Sequence, residues 1–137
     1  MAHTIRRVDY FYAMIEDQPG EAYELLTQLA SLGVNLLALT AVPLGPERAQ
    51  LALFPEDARK MVEAARKAGF ALDGPHRALL VQGDDELGAL SKVHAKLHSA
   101  WVQVYASSGV TDGRGSYGYI IYVRPDEYDR AAQAMEV

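Results

Sequence analysis

The sequence predicts an α+β fold made of two tandem modules, each with the element order strand, helix, strand, strand, helix, strand. Two observations carry this prediction. Runs of strand-like apolar residues alternate with apolar residues at helical spacing in that order. The same residue types then recur in the second half of the chain at a nearly constant offset. We therefore expect one module over residues 1–73 and a second over residues 74–137.

The elements of the first module follow from its apolar pattern. Strands are predicted where aromatic, β-branched or apolar residues form short runs, and helices where apolar residues fall on one helical face. The predicted elements are a strand over residues 8–15, a helix over 21–32, strands over 34–42 and 49–54, a helix over 55–68 and a strand over 70–72. Gly33 and Gly69 supply the left-handed residues that end the helices. Asp73, Gly74 and Pro75 form a predicted linker.

The second module repeats this order but stops early. Its predicted elements are a strand over residues 78–82, a helix over 87–99, strands over 101–106 and 119–123, and a helix from 125 onward. The chain ends at Val137, about where this helix finishes, so the module lacks a last strand. Its sheet is therefore expected either to be incomplete or to take a strand from elsewhere.

The register of the repeat gives a further expectation. Up to the second strand, the offset between the copies places Asp17 on Asp85 and Val34 on Val102. After the hairpin, the offset that best matches the residue types is larger by two positions and places Leu51 on Ile121. We therefore expect a two-residue insertion in the second hairpin.

A short motif surrounds the first predicted helix. Residues 17–20 have the sequence DQPG before the helix, and residues 33–35 have the sequence GVN after it. This DxPG turn followed by GVN resembles the ACT domain, a small regulatory module attached to many enzymes of amino-acid metabolism. The resemblance implies ferredoxin-like modules, each an antiparallel sheet with two helices on one face. The second copy departs from the motif at Leu87 and Trp101, which leaves open that its pocket is filled.

The turn before each helix offers what the backbone of a free amino acid needs. Free N–H groups at a helix start attract a carboxylate, and glycine permits close approach. An Asp can accept from an ammonium group, and a carboxamide can donate and accept. By the resemblance, the ligand-binding residues are Asp17, Gln18, Pro19 and Gly20, with Asn35 reaching across from a packed neighbour, and Asp85, Gly88 and Gln103 in the second module. The alternative is that these residues only cap helices and shape turns.

Catalytic and metal-binding groups are few. The chain has no cysteine, which excludes thiolate nucleophiles and thiolate metal sites. His94 and His98 share one helical face, but without an HExxH pattern a packed, hydrogen-bonded role is expected for His94. The GxGxxG pattern at residues 113–118 precedes a strand, not the helix that a dinucleotide site needs. We therefore expect no catalytic residues, no metal and no cofactor, the rival being a ferredoxin-like enzyme that uses the two histidines.

Charge and hydropathy limit the partners. The net charge is -5 and the 13 Lys and Arg are scattered, so a nucleic acid is not expected. There is no apolar run of membrane-spanning length, and we expect a cytoplasmic protein. Small modules expose strand edges, which predicts a homodimer. The resemblance implies an allosteric, amino-acid-binding regulatory protein that acts on an enzyme or regulator of amino-acid metabolism; the alternative is an interaction scaffold with a vestigial pocket.

Overall fold

The computed structural model describes residues 3–137, which form six β-strands and four α-helices. In chain order the elements are β1 (His3–Glu16), α1 (Glu21–Ser31), β2 (Leu36–Pro43), β3 (Arg48–Pro55), α2 (Ala58–Ala68), β4 (Asp73–Asp84), α3 (Ala89–Ser99), β5 (Val104–Thr111), β6 (Ser116–Val123), a short 3₁₀ helix (Pro125–Glu127) and α4 (Tyr128–Ala134). Contacts divide them into two compact units. The first unit is Asp9–His76, and the second unit combines residues 3–8 with Arg77–Val137. The α+β class is confirmed.

The first unit packs two helices on an antiparallel sheet. Its strand order is β2, β3, β1, with Leu53 of β3 opposite both Leu39 and Phe11. Alternate residues of β1 and β3 enter one core together with residues of α1 and α2, so both helices cover the same face. The buried core residues are Phe11, Ala13, Leu25, Leu29, Val34, Leu51, Leu53, Met61 and Ala64.

The second unit has the same construction. Its strand order is β4, β6, β5, with Ile121 of β6 opposite both Leu79 and Ser107. Alternate strand residues meet α3 and α4 in one core. The buried core residues are Leu79, Val81, Val93, Leu97, Val102, Tyr117, Tyr119, Ile121, Val123, Tyr128, Ala131, Ala132 and Met135.

The same backbone hydrogen bonds occur within each unit, at positions related by the offset that places Asp17 on Asp85. The pairs, written as donor N–H to acceptor carbonyl, are Asp17 to Glu47 and Asp85 to Gly115, Glu24 to Gly20 and Lys92 to Gly88, Leu44 to Arg48 and Asp112 to Ser116, and Val34 to Leu29 and Val102 to Leu97. The two turns before α1 and α3 are thus held by the same bonds. So are the two helix ends and the two hairpins.

The predicted two-residue hairpin insertion is wrong. Both hairpins have the same length, and the pairs Leu39–Leu53 and Ser107–Ile121 keep the first offset through β3 and β6. The two extra residues lie after β6, because the connection from β6 to α4 is longer than the connection from β3 to α2. The 3₁₀ helix between β6 and α4 accommodates them.

The predicted linker at Asp73, Gly74 and Pro75 is also wrong. These residues begin β4, which continues to Asp84 as one strand, and residues 70–72, where a strand was predicted, lie in no strand. A Cβ at Gly74 would lie 2.9 Å from both Phe11 Cδ2 and the Tyr10 carbonyl oxygen. Glycine stands here because β1 approaches closely, not because the chain turns.

Residues 3–8 group with the second unit. Ile5 packs against its core, and the Arg7 guanidinium donates to the Val137 carbonyl at 3.1 Å and lies 3.7 Å from the Asp129 carboxylate. Residues 3–8 of β1 thus belong to the unit that contains β5 and β6, although they are distant from it in sequence. The compact units differ from the predicted modules by residues 3–8 and by residues 74–76.

Candidate functional site

A cavity of about 730 Å³ opens at the start of α3 in the second unit. It is lined by residues 85–91 from the turn and first turn of α3, by residues 109–111 of β5 and by residues 117–119 of β6. Its volume lies in the range of about 300–1,000 Å³ that small-molecule pockets occupy. We call it the α3 cavity.

Two local features shape the turn that borders the α3 cavity. Gly88 has φ 80°, a left-handed conformation that lets the chain enter the helix from a sharp turn. The Asp85 N–H donates to the Gly115 carbonyl at 2.8 Å, which ties the turn to the following hairpin. The first turn of the helix leaves backbone N–H groups without intrahelical partners, so this end favours a negative group.

The walls of the α3 cavity are largely apolar. Leu87 and Val110 are 101% and 75% exposed, and Leu90 is 39% exposed. The ring of Tyr119 lies so close to β5 that a Cβ at Gly109 would stand 2.8 Å from its Cδ1. The glycine in β5 is therefore needed to seat this ring.

Two tyrosine hydroxyls supply polar groups. Tyr119 OH lies 2.7 Å from His94 Nε2, which is part-buried. Tyr117 is 9% exposed, and its hydroxyl has no hydrogen-bond partner among residues 3–137. Burial raises the pKa of Tyr117, and the negative charges of Glu86 and Asp84 raise it further. The phenol is therefore a neutral donor at physiological pH.

His94 and His98 do not form a metal centre with other side chains. His94 has the packed, hydrogen-bonded role expected from its position on the helix. Over residues 3–137, no group of three or more His, Cys, Asp or Glu side chains is arranged to hold a metal ion.

A second cavity, of about 480 Å³, lies beside α1 in the first unit. We call it the α1 cavity. Polar side chains make up much of its lining, and they are Glu21, Glu24, Gln28, Gln50 and Asp73. It differs in character from the α3 cavity although the two units share their backbone hydrogen bonds.

The predicted site residues of the first module line neither cavity. Gly20 has φ 92° at the start of α1, and no side chain of the described part of the chain caps that helix. The backbone N–H of Asp17 donates to Glu47 at 2.8 Å. Asn35 is engaged within its own unit, because its Nδ2 donates to Glu56 Oε2 at 3.3 Å and its carbonyl accepts from the Glu56 N–H at 2.8 Å. The other two predicted residues of this turn are Gln18 and Pro19, and both are exposed.

The structure brings some predicted residues of the second module together. Asp85 and Gly88 line the α3 cavity, but Gln103 does not. The Gln103 N–H instead donates to Glu127 Oε1 at 2.9 Å, and its Nε2 donates to the Val104 carbonyl at 3.0 Å. Leu87 does not fill the second pocket, because its side chain is fully exposed and the cavity beside it is open.

Sequence reasoning missed the residues that give the α3 cavity its walls. Val110, Tyr117 and Tyr119 belong to the second hairpin, where the sequence predicted a loop and a strand but no site. One signal could have indicated Tyr119, since Gly109 lies within a strand, where glycine often marks a place at which another group approaches the backbone.

Comparisons with known proteins give likenesses of structure only. The sequence matches no known family model and no curated protein. Among residues 3–137, none of the helices combines the length and the hydrophobicity required to cross a membrane.

Solved structures match nearly the whole chain. A protein from Bacteroides thetaiotaomicron is 20% identical with a TM-score of 0.80, and the match covers 96% of this chain and 88% of that one. The regulatory subunit of aspartate kinase from Thermus thermophilus is 17% identical with a TM-score of 0.66, covering 98% and 94%. The corresponding subunit from Thermus flavus is 20% identical with a TM-score of 0.62, covering 99% and 98%. These likenesses support the ACT-like fold that the DxPG and GVN motifs predicted.

Proposed function

We propose that this chain is a tandem of two ACT-like modules that binds a free amino acid, or a similar small zwitterion, in the α3 cavity. The observation that carries the proposal is the α3 cavity itself, where a helix start and a free phenol meet apolar walls. A carboxylate is favoured at the helix start, and Asp85 is placed to receive an ammonium group. The cavity thus offers partners for every part of such a ligand.

The tandem arrangement is supported by the shared hydrogen bonds. Turns, helix ends and hairpins recur at one offset through β3 and β6. Two unrelated folds joined by chance would not keep one offset through hairpins and turns. We take the predicted modules, residues 1–73 and 74–137, as the sequence units of this duplication, with residues 3–8 completing the second.

A regulatory role without catalysis follows from this proposal. The Thermus neighbours are named as regulatory subunits of a kinase, and a regulatory role through ligand binding would suit the same fold here. Ligand binding would order the turn before α3 and shift the population of conformations that a partner recognises. The partner would be an enzyme or a regulator of amino-acid metabolism.

Homodimerisation is part of the same proposal. β5 stands last in its strand order, and seven of its eight residues are exposed. An uncovered edge strand of this length is a surface for pairing with a second chain. A second copy of this chain would satisfy the open backbone groups of that edge.

A scaffold with a vestigial pocket is the second candidate, and the exposure of large apolar side chains favours it. Leu87 and Trp101 are 101% and 86% exposed, as expected for residues that a protein partner covers. Absence of binding to every amino acid tested would support this second candidate.

Calorimetric titration of the full chain with the twenty amino acids tests the proposed function. We expect a saturable heat, and we expect Thr111→Arg to abolish it, because Thr111 lines the α3 cavity and pairs with Tyr117, so the new side chain would lie on the cavity face of the sheet. Val42→Arg is the control, since Val42 lies in β2 of the first unit, is 43% exposed and lines neither cavity. Absence of heat with the parent chain, or equal loss in both variants, would contradict the proposal.

A further inference from the structure

The apolar walls of the α3 cavity bear on which ligand it accepts. Leu87 and Leu90 project apolar surface that the protein itself leaves exposed, although both lie at the helix start. A ligand that covers this surface gains about fourfold in affinity for each methylene group it buries. Small ligands without an apolar side chain forgo this gain.

The charges around the α3 cavity act in the same direction. Its described lining residues include Asp85 and Glu86 but no Lys or Arg. Lys92, in the next turn of the helix, is engaged with Glu86 Oε1 at 3.3 Å. An acidic side chain on the ligand would therefore face like charges without a cation to pair with.

The free hydroxyl of Tyr117 is available to a ligand. This side chain is nine-tenths buried and lines the cavity, yet its hydroxyl lacks a partner among residues 3–137. Among residues 3–137, His76 Nε2 is the one buried side-chain polar atom without a hydrogen-bond partner, so the Tyr117 hydroxyl is open to the cavity and can donate to a ligand there. The hydroxyl of Tyr119, two residues further along the chain, is already hydrogen-bonded to His94, so Tyr119 contributes only its ring to the cavity wall.

We infer that the α3 cavity is selective for amino acids with large apolar side chains, with Leu87 and Leu90 as the specificity-determining residues and Tyr117 as a donor to the ligand. The inference rests on the proposed function and narrows it to one ligand class. The α-carboxylate takes the helix start and the Tyr117 hydroxyl, and the ammonium group takes Asp85. The side chain of the ligand lies on Leu87 and Leu90.

Calorimetry on the full chain separates this inference from the proposed function. We expect L-leucine or L-phenylalanine to bind at least tenfold more tightly than L-alanine, and L-aspartate to bind more weakly than L-leucine. Binding of L-aspartate or L-lysine in preference to L-leucine would overturn the inference while leaving the proposed function intact. Absence of binding by all of these would overturn both.

Two variants locate the selectivity. Leu87→Ala, at a fully exposed position, should weaken L-leucine binding more than fivefold and leave L-alanine binding nearly unchanged. Tyr117→Phe should weaken both ligands by a similar factor, since the hydroxyl serves the part they share. The control is Tyr23→Ala, in α1, where the side chain is 73% exposed and lines neither cavity. Equal losses in Leu87→Ala and Tyr23→Ala would place the binding elsewhere and overturn the inference.

Discussion

Trp101 and Gly33 occupy equivalent positions just after the ends of α3 and α1, with φ angles of 59° and 82°. Each donates its N–H to the last turn of the helix before it, Gly33 to Ala30 and Trp101 to His98. Glycine adopts this left-handed conformation without cost, whereas a side chain meets steric crowding there. The Trp101 side chain is 86% exposed, so little packing offsets the strain.

Trp101→Gly should therefore stabilise the protein by about 1 kcal/mol, the size of the left-handed penalty for a residue with a Cβ. Urea denaturation followed by circular dichroism measures the change. Gly33→Ala is the reciprocal variant and should destabilise by a similar amount. A clear loss of stability in Trp101→Gly would show that the indole makes a contact that its exposure does not reveal.

Asp112 fixes the tip of the second hairpin. Its Oδ1 accepts from the N–H groups of Arg114 at 2.7 Å and Ser116 at 3.1 Å, and these bonds lower its pKa below 3.8. A lowered pKa in the folded state contributes stability that is present above pH 3.8 and is lost as the pH falls through the folded value. The first hairpin has Leu44 at the equivalent position and therefore lacks this carboxylate.

Asp112→Asn should thus lower stability at pH 7 and flatten the dependence of stability on pH below about 4. Thermal unfolding followed from about pH 2 to about pH 7 measures that dependence. The control is Glu47→Gln, an exposed residue in the first hairpin, which should leave the profile unchanged. An unchanged profile in Asp112→Asn would mean that the carboxylate does not hold the hairpin.

Helices were predictable from the sequence to within a few residues, and strand ends were not. Periodic apolar residues define α1 and α3, which the structure begins within two residues of the predicted starts. The start of α2 was misplaced because Asp57, not Pro55, begins it: its Oδ1 accepts from the Arg59 N–H at 3.0 Å. The strand β4 was interrupted in the prediction because Gly74 and Pro75 are typical of turns.

The hairpin register shows why one aspect of the repeat could not be read from residue types. Side chains alternate between sheet faces with a period of two, so a shift of two positions keeps every apolar residue on the same face. Leu51 therefore matches Tyr119 and Ile121 equally well by pattern. Only the pairing across the sheet decides between them, and it selects Tyr119.

Gly74→Ala tests the close approach of β1 and β4. The added Cβ would meet Phe11 and the Tyr10 carbonyl, at a φ of 145°, so we expect a loss of about 2–4 kcal/mol. Gly45→Ala, in an open turn at φ 80°, should cost only about 1 kcal/mol. Urea denaturation of both variants measures the difference. Equal losses would mean that backbone conformation alone requires glycine at position 74.

Across the whole molecule, the recurrence of residue types was readable from the sequence and the position of the cavity was not. The DxPG motif drew attention to the first turn, yet the larger and more apolar cavity lies at the second, where Leu87 stands in place of Pro19. A cavity depends on how far a helix start stands from two strands, and residue types at one turn do not determine that distance. Asp85 and Gly88, which line the cavity, were predicted as site residues because their positions match the motif residues Asp17 and Gly20, whereas the hairpin residues match no motif.

The most direct measurement is a titration of the ¹⁵N-labelled full chain with the amino acid of highest affinity, followed by amide chemical shifts. If the α3 cavity binds the ligand, the amide signals of Gly88, Gly109 and Gly118 shift saturably, while those of Gly20 and Gly45 stay in place. Shifts confined to Gly20 and its neighbours, or no saturable shift at the three cavity glycines, would contradict the account.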